Sequence, residues 1–468
     1  MSDDSSARIA GHLRALAAAG APGQKLPSTR ALAARFGAGP VTVQRALARL
    51  VAEGIVETRS GSGTFIALRD AVPAIADVTW QTAVLGPDRV GRALVGSSMR
   101  TIPPDTIAMH SGYPSDDLLP TTLVRSAFAT AVRSATERGA FERPPTAGLP
   151  ALRRWFVDDL GLPGWQQADA VIAAGGQAAI AATFRALAAP GEAIVMESPT
   201  YWGAIAAARQ AGLVIVPVAR TDGAPAAADL ADAFASSRAR LFYAQPSFAN
   251  PTGDLWTAAQ RAAVLAVVRD HRAFVVEDDW AHDFAFVTPP RPLIADDPDG
   301  HVIYVRSLTK SLSLTVRVAA LLARGPARAR IESALTVSDL YVAPVLQTVA
   351  LDVVSRPAWR THTQRLARDL RARRDLLLRA LADVPGLTVS RPPDGGLNLW
   401  VRLPATTADG APTDPDLVVA RALAAGLAIS PGGEWFPAEP TAPHVRLNFG
   451  AAGPGRYDEA ARILATAL

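Results

Sequence analysis

A chain of 468 residues, 49% hydrophobic and 19% charged, is long enough for two or three domains and lacks the composition of a disordered protein. It contains no run of eighteen uncharged apolar residues and no cysteine, which excludes helical membrane spans, disulfides and thiolate metal sites. The net charge of +4 is uneven: residues 1–68 hold eight Lys or Arg against four Asp or Glu, and the remainder holds 39 of each. A basic head on a neutral body is the balance expected of a nucleic-acid-binding head. Met1–Ser6 is acidic and polar, unlike a secretory signal, so a cytoplasmic location is expected.

Ile9, Leu13 and Leu16 recur at helical spacing and mark a first helix over residues 7–19, broken by Pro22 and Gly23. Ser28 is an N-cap for a second helix through Ala34, which ends near Gly37. Pro40 opens a third, running to about Glu53 and stopped by Gly54. Two β-rich runs follow, Ile55–Arg59 and Thr64–Ala67, joined by a Ser-Gly-Ser-Gly turn.

Three helices and a hairpin describe a winged helix-turn-helix. On its third helix Val43, Ala46, Leu47 and Leu50 form one stripe, suited to a core; Thr42, Arg45 and Arg49 form another, suited to a DNA major groove. Gln44 lies near the helix start, where side chains reach base edges. Gly61 and Ser62 in the wing can approach phosphates, and Arg30 backbone or base. The plain alternative is a solvated charged face, or a winged helix used for docking another protein.

Pro73, Pro87, Pro103 and Pro104 then punctuate a stretch without sustained period, read as a linker with one short helix near Asp88–Val95. From about Asp105, apolar runs (Val171–Ala174, Ala193–Met196, Leu213–Val218, Leu241–Ala244, Ala273–Glu277, Val302–Val305) alternate with helical stretches. That pattern predicts an α/β domain with a mainly parallel sheet, followed by a smaller α+β lobe after Pro357. The expected domains are residues 1–68, a linker over 69–105, and 106–468.

Lys25 and Lys310 are the only lysines. Lys310, alone in the neutral body, is a candidate for amine chemistry that arginine cannot perform. It lies in Ser307-Leu-Thr-Lys-Ser, just past a strand, where open α/β sheets place ligands. Asp278 follows another strand in Glu277-Asp-Asp-Trp, and Asn250 opens Asn-Pro-Thr-Gly after a third. Tyr201 sits in Glu197-Ser-Pro-Thr-Tyr, and Gly175-Gly176-Gln177 lies between a strand and a helix. Pyridoxal phosphate needs an amine, a carboxylate for its ring nitrogen, a donor for its phenolic oxygen, an aromatic face and a phosphate cup. Lys310, Asp278, Asn250 and Tyr201 answer the first four in turn; Gly176, Gln177, Ser307, Thr309 and Arg317 answer the last. The acidic run can equally be a metal or solvated cluster, Asn-Pro-Thr-Gly a plain turn, and Tyr201 a core aromatic. No metal is expected.

The segments Lys25-Leu-Pro-Ser-Thr-Arg-Ala-Leu-Ala-Ala-Arg-Phe-Gly, Val41-Thr-Val-Gln-Arg-Ala-Leu and Gly61-Ser-Gly-Thr-Phe resemble the GntR-type winged helix across residues 7–67. Pro40 departs from it, standing where many relatives carry a polar residue, so family operator preferences do not transfer. The body resembles fold-type I aminotransferases over about residues 106–468. The two together resemble the MocR subgroup of GntR regulators. The resemblance implies that Lys310 forms the Schiff base, that Asp278 pairs with the pyridinium, and that Asn250 binds the phenolic oxygen. It also implies that Arg446, in Val445-Arg-Leu-Asn-Phe, grips an effector or substrate carboxylate. Trp280 replaces a tyrosine that tunes the cofactor, and Phe141 a tyrosine that reaches a neighbouring subunit's phosphate; both changes favour a retuned site.

The function implied is a DNA-binding transcriptional regulator. It would act on a double-stranded operator and sense an amino compound or the cofactor itself, as a homodimer with exchanged heads. The rival readings are an aminotransferase with a DNA-binding appendage and a cofactor-free regulator.

Overall fold

In the computed structural model, which describes residues 2–67, 78–85, 97–137, 143–288, 291–407 and 409–468, the chain divides into two units, Met1–Pro87 and Asp88–Leu468. The first begins with helices α1 (Ser2–Ala19), α2 (Thr29–Phe36) and α3 (Pro40–Ala52), then strands β1 (Val56–Arg59) and β2 (Gly63–Ile66). The caps explain the boundaries. Ser28 Oγ accepts a hydrogen bond from Ala31 N at 3.2 Å, and Gly37 ends α2 in the left-handed conformation. Pro40 occupies the first turn of α3, where its missing N–H costs nothing.

Val43, Ala46, Leu47 and Leu50 join Ile9, Leu13, Leu32, Val56 and Ile66 in one core, as the stripe predicts. The hairpin gains an edge the sequence did not signal. Leu26 N donates to Thr64 O at 2.8 Å, and Ile66 N donates to Gln24 O at 2.9 Å, so Lys25 makes an isolated antiparallel bridge with Phe65 along β2. Trp80–Leu85, read as irregular linker, is a helix, α4; the helix expected near Asp88–Val95 lies outside the described residues, as does Phe141.

The second unit continues with β3 (Ile107–Ala108), α5 (Thr121–Glu137), α6 (Pro150–Leu160), β4 (Ala170–Ala173), α7 (Gly176–Leu187), β5 (Ala193–Ser198), α8 (Trp202–Gln210), β6 (Val214–Thr221) and β7 (Ala224–Pro225). Then come α9 (Ala227–Ser237), β8 (Leu241–Ala244), α10 (Ala258–Asp270), β9 (Phe274–Asp278), β10 (Val302–Ser307), β11 (Ala319–Leu322), α11 (Gly325–Asp339), α12 (Pro344–Val354) and α13 (Pro357–Ala382). The carboxyl-terminal lobe holds β12 (Asn398–Arg402), α14 (Pro415–Ala424), β13 (Leu427–Ala428), β14 (Ser430–Pro431), β15 (His444–Asn448) and α15 (Tyr457–Ala467).

The large sheet has the order β4-β11-β10-β9-β8-β5-β6-β7. Its centre, β10-β9-β8-β5-β6, is parallel, while β11 runs antiparallel to both of its neighbours. All six strand-like runs of the sequence are strands here. They read as continuous apolar runs because both faces are covered: Val302 and Tyr304 feed one core, Ile303 and Val305 the opposite one. The smaller lobe packs β12, β15 and β14 with α13, α14 and α15 around a third core.

Register delivers the functional segments to one edge. Asp278 pairs with Val305, Ser307 with Ala319, and Ala319 with Ala173. The carboxyl ends of β4, β9 and β10 therefore reach the same edge of the sheet, with the start of β11 between β4 and β10, as a ligand site in an open α/β sheet requires.

Candidate functional site

Ten residues singled out by sequence line one cavity: Gly176, Gln177, Tyr201, Asn250, Asp278, Trp280, Ser307, Thr309, Lys310 and Arg317. It adjoins a wider cleft of about 490 Å³ that Arg446 helps to line, together with Lys310, Tyr201, Asn250 and Arg317.

Lys310 stands in the loop after β10, its Nζ 4.5 Å from the centre of the Trp280 ring and 5.9 Å from that of Tyr201. Burial lowers its amine to about 8; Asp278 opposes that shift, and Arg446 and Arg317 add to it. Asp278 is buried, and burial raises its carboxyl. Tyr243 donates to its Oδ2 at 2.6 Å and Gln245 Nε2 donates to the same oxygen at 2.8 Å. Both donors hold one oxygen and so fix how the carboxylate is presented to the cavity.

The three acidic neighbours separate. Glu277 accepts from Leu293 N and Ile294 N. Asp279 accepts from Tyr304 at 2.6 Å and lies 2.8 Å from His282 Nδ1. Only Asp278 of the three lines the cavity.

Asn250 Oδ1 accepts from Asn398 at 3.2 Å and from Arg446 at 3.5 Å. A guanidinium can only donate, so the oxygen must face it, and Nδ2 is left as the donor of this side chain. Trp280 lines the cavity, but its indole N–H donates to Phe248 O at 3.1 Å, so the residue offers the cavity a ring face and not a hydrogen bond.

At the start of α7, Gly175 has φ 95°, and a Cβ there would meet the Arg317 guanidinium at 2.8 Å. Glycine is required both for the turn and for that approach. Ser307 Oγ donates to Thr309 Oγ1 at 3.1 Å, and Arg317 makes a long bond to Ala174 O at 3.4 Å. Helix-start N–H groups, two hydroxyls and a cation without a carboxylate partner among the described residues thus meet at one end of the cavity, a set of donors able to hold an anion.

Arg446, on β15, is fully buried and donates to the carbonyls of His110 and Ser111. Burial lowers its guanidinium to about 10. It lies over the Trp435 ring at 4.5 Å, its Nε has no partner, and no carboxylate reaches ion-pair distance among the described residues. A buried guanidinium in that condition is prepared for an anion.

Several supporting residues went unread in the sequence. Tyr113 and Gln245 line the cavity, Tyr243 holds Asp278, and Arg306 braces the lysine loop through Asp159 and Asp283. Arg306 had a signal: a lone cation ending an apolar strand run three residues before Thr-Lys is rarely left unpaired.

In the first unit, Arg30, Gln44, Arg45, Gly61 and Ser62 are exposed and Thr42 is half-buried. Arg49 is exposed but tied to Glu53 at 3.0 Å, and Arg14 grips the same carboxylate.

The family model for aminotransferase class I and II matches residues 105–463, and that for the GntR family of bacterial regulatory proteins matches residues 6–66. A probable rhizopine catabolism regulatory protein, MocR, from Rhizobium meliloti is 29% identical over 84% of this chain and 79% of its own. A 2-aminoadipate transaminase from Thermus thermophilus is 28% identical over 78% of this chain and 90% of its own. The crystal structure of an alpha-aminoadipate aminotransferase from Thermus thermophilus, complexed with N-(5'-phosphopyridoxyl)-L-leucine, is 25% identical. It superposes with a TM-score of 0.73 over 83% of this chain and 98% of that one. Among the described residues no helix is long and apolar enough to cross a membrane. The chain belongs to the aminotransferase class I and II family, and with a GntR-type domain ahead of that fold it is a regulator of the MocR type.

Proposed function

We propose that residues 1–68 bind a double-stranded DNA operator, that residues 69–105 connect, and that residues 106–468 hold pyridoxal phosphate on Lys310 and sense an amino compound or the cofactor itself. The observation that carries this reading is the convergence on one cavity of a lone lysine, a buried carboxylate, an amide donor and a helix-start cup. The parts fit the cofactor. Lys310 supplies the amine, Asp278 an acceptor for the ring nitrogen, Asn250 Nδ2 a donor for the phenolic oxygen, and Tyr201 an aromatic face. Gly176, Gln177, Ser307, Thr309 and Arg317 would enclose the phosphate, and Arg446 would take an effector carboxylate. When bound, the cofactor supplies an electrophilic carbonyl that captures amines. A ligand there changes operator affinity only by binding two states of the protein unequally. We place this regulator in the cytoplasm, as a homodimer with exchanged heads.

Two outcomes are expected. An amine attacks only when neutral. With Lys310 at about 8, its neutral fraction, and the rate at which the cofactor-free chain captures pyridoxal phosphate, rises about tenfold between pH 7 and pH 9. An ordinary lysine would leave the rate climbing past pH 10, which stopped-flow absorbance distinguishes. On the DNA side, Arg45→Ala weakens binding to an operator selected from random sequence by roughly 1–3 kcal/mol if the side chain reads a base. Unchanged affinity in a gel-shift titration removes Arg45 from the contact surface.

A further inference from the structure

A buried belt of hydrogen bonds crosses four neighbouring strands of the large sheet. β9, β8, β5 and β6 are successive in the sheet. Asp278 ends β9, Gln245 directly follows β8, Glu197 lies in β5 and Arg220 in β6. Gln245 Nε2 donates to Asp278 at 2.8 Å, and Gln245 N donates to Glu197 Oε2 at 2.9 Å. Arg220 Nη2 donates to the same Glu197 oxygen at 2.6 Å. All four side chains are buried.

Gln245 extends the belt to a second group that faces the cavity. Its Oε1 accepts from Asn250 N at 2.9 Å. The chemistry forces this orientation, because an ionised carboxylate only accepts and a backbone N–H only donates. The position therefore demands a side chain that donates at one point and accepts at another. A carboxylate would lack the donor and a lysine the acceptor. At the far end of the belt, Arg220 Nε donates to Pro199 O at 3.0 Å and Nη1 to Gly223 O at 2.9 Å. Pro199 lies two residues before Tyr201. The ion pair that anchors the Gln245 backbone thus also anchors the segment that carries Tyr201. A buried pair with this many further bonds is well satisfied, and a satisfied buried network is rigid.

We propose that Gln245 is a positioning residue that couples Asp278 to Asn250. Its one amide sets the two groups relative to each other, and the Arg220–Glu197 pair holds that amide in place. The inference rests on the cofactor reading above and deepens it. The acceptor for the ring nitrogen and the donor for the phenolic oxygen are presented as one unit, spaced before the cofactor arrives. Groups ordered in advance need no ordering on binding, and the affinity that would cost is kept.

The test is equilibrium dialysis of the full chain against pyridoxal phosphate. Methionine is close to glutamine in length but has no strong donor or acceptor. Gln245→Met is expected to weaken binding about tenfold or more. Most of that loss acts through Asp278, so in an Asp278→Asn chain the same substitution is expected to cost about threefold or less. Gln245→Glu supplies a rescue. Beside the Asp278 carboxylate a second buried carboxyl keeps its proton, and near pH 6 it donates as the amide does. This variant is then expected to bind within about threefold of the wild type, where Gln245→Met stays weak. Melting of the cofactor-free chains checks the fold; if Gln245→Met does not fold, Gln245→Ser, too short to link the two groups, replaces it in each comparison. Wild-type affinity in Gln245→Met, an equal loss in the Asp278→Asn chain, or Gln245→Glu as weak as Gln245→Met overturns the proposal. Borohydride labelling of the wild type keeps the two readings apart. A pyridoxyl adduct on Lys310 with affinity untouched by Gln245→Met overturns this inference alone, whereas no adduct overturns the cofactor reading and this one with it.

Discussion

Arg306→Leu is expected to destabilise the large domain by about 3–5 kcal/mol, the cost of breaking a buried ion pair from one side. The Arg306 side chain is 1% exposed, with NH1 2.6 Å from Asp159 and NH2 3.0 Å from Asp283. The Asp283 side chain is 7% exposed and accepts from Ser311 Oγ at 2.6 Å. Arg306 and Ser311 flank Ser307, Thr309 and Lys310, so one aspartate ties down both ends of the loop that presents the lysine. Leucine would fill part of the space and leave the Asp283 charge without its guanidinium. Denaturant unfolding followed by tryptophan fluorescence reads the loss. Adding Asp283→Leu to the same chain should recover part of it, because the uncompensated charge then disappears. A loss below about 1 kcal/mol would mean that Asp283 finds solvent, and that the loop is held by other contacts.

Asp278→Asn should leave the fold intact and weaken pyridoxal phosphate binding by about 2–3 kcal/mol, roughly 30- to 150-fold, the worth of a hydrogen bond to a charged group. Tyr243 and Gln245 both donate to Oδ2. In the variant the amide oxygen must take that place, since Gln245 Nε2 can only donate and its Oε1 already accepts from Asn250 N. The new amide hydrogens are then turned towards the cavity, where an acceptor for the ring nitrogen is needed. A second consequence has a definite sign. Asp278 holds the Lys310 amine up against burial, so its removal moves the midpoint for cofactor capture further below 8. Equilibrium dialysis measures the affinity and stopped-flow absorbance the midpoint; melting of the cofactor-free chain checks the fold. Unchanged affinity would show that Asp278 does not face the ring nitrogen.

Much of this architecture was legible because local chemistry and tertiary demand agree. Ser28, Gly37 and Pro40 mark the helix ends of the first unit, and the Val43–Leu50 stripe is its core. In the large unit, the buried parallel strands announce themselves as apolar runs, and residues at strand ends collect at one edge through register that alternation alone does not reveal. What escaped was non-local. Ala319–Leu322 is a strand, yet Ala-Ala-Leu-Leu reads as helix, and only pairing with β10 and β4 decides it. Tyr243 looks like any core aromatic of an apolar strand; its bond to Asp278 spans 35 residues. The Trp280 N–H is taken by a carbonyl 32 residues away, which leaves only its ring face to the cavity, and no local signal shows this. Residues 24–26 join the wing because Leu26 and Gln24 meet β2, a pairing with no local signature.

One measurement bears most directly on the whole account. The full chain is incubated with pyridoxal phosphate, reduced with borohydride, digested and weighed. With only two lysines present, the assignment is unambiguous, and Lys25, in the DNA-binding unit, is an internal control. A single pyridoxyl group on the peptide containing Lys310, absent from Lys310→Ala, is the predicted result. No adduct, or labelling of Lys25 to the same extent, would contradict it.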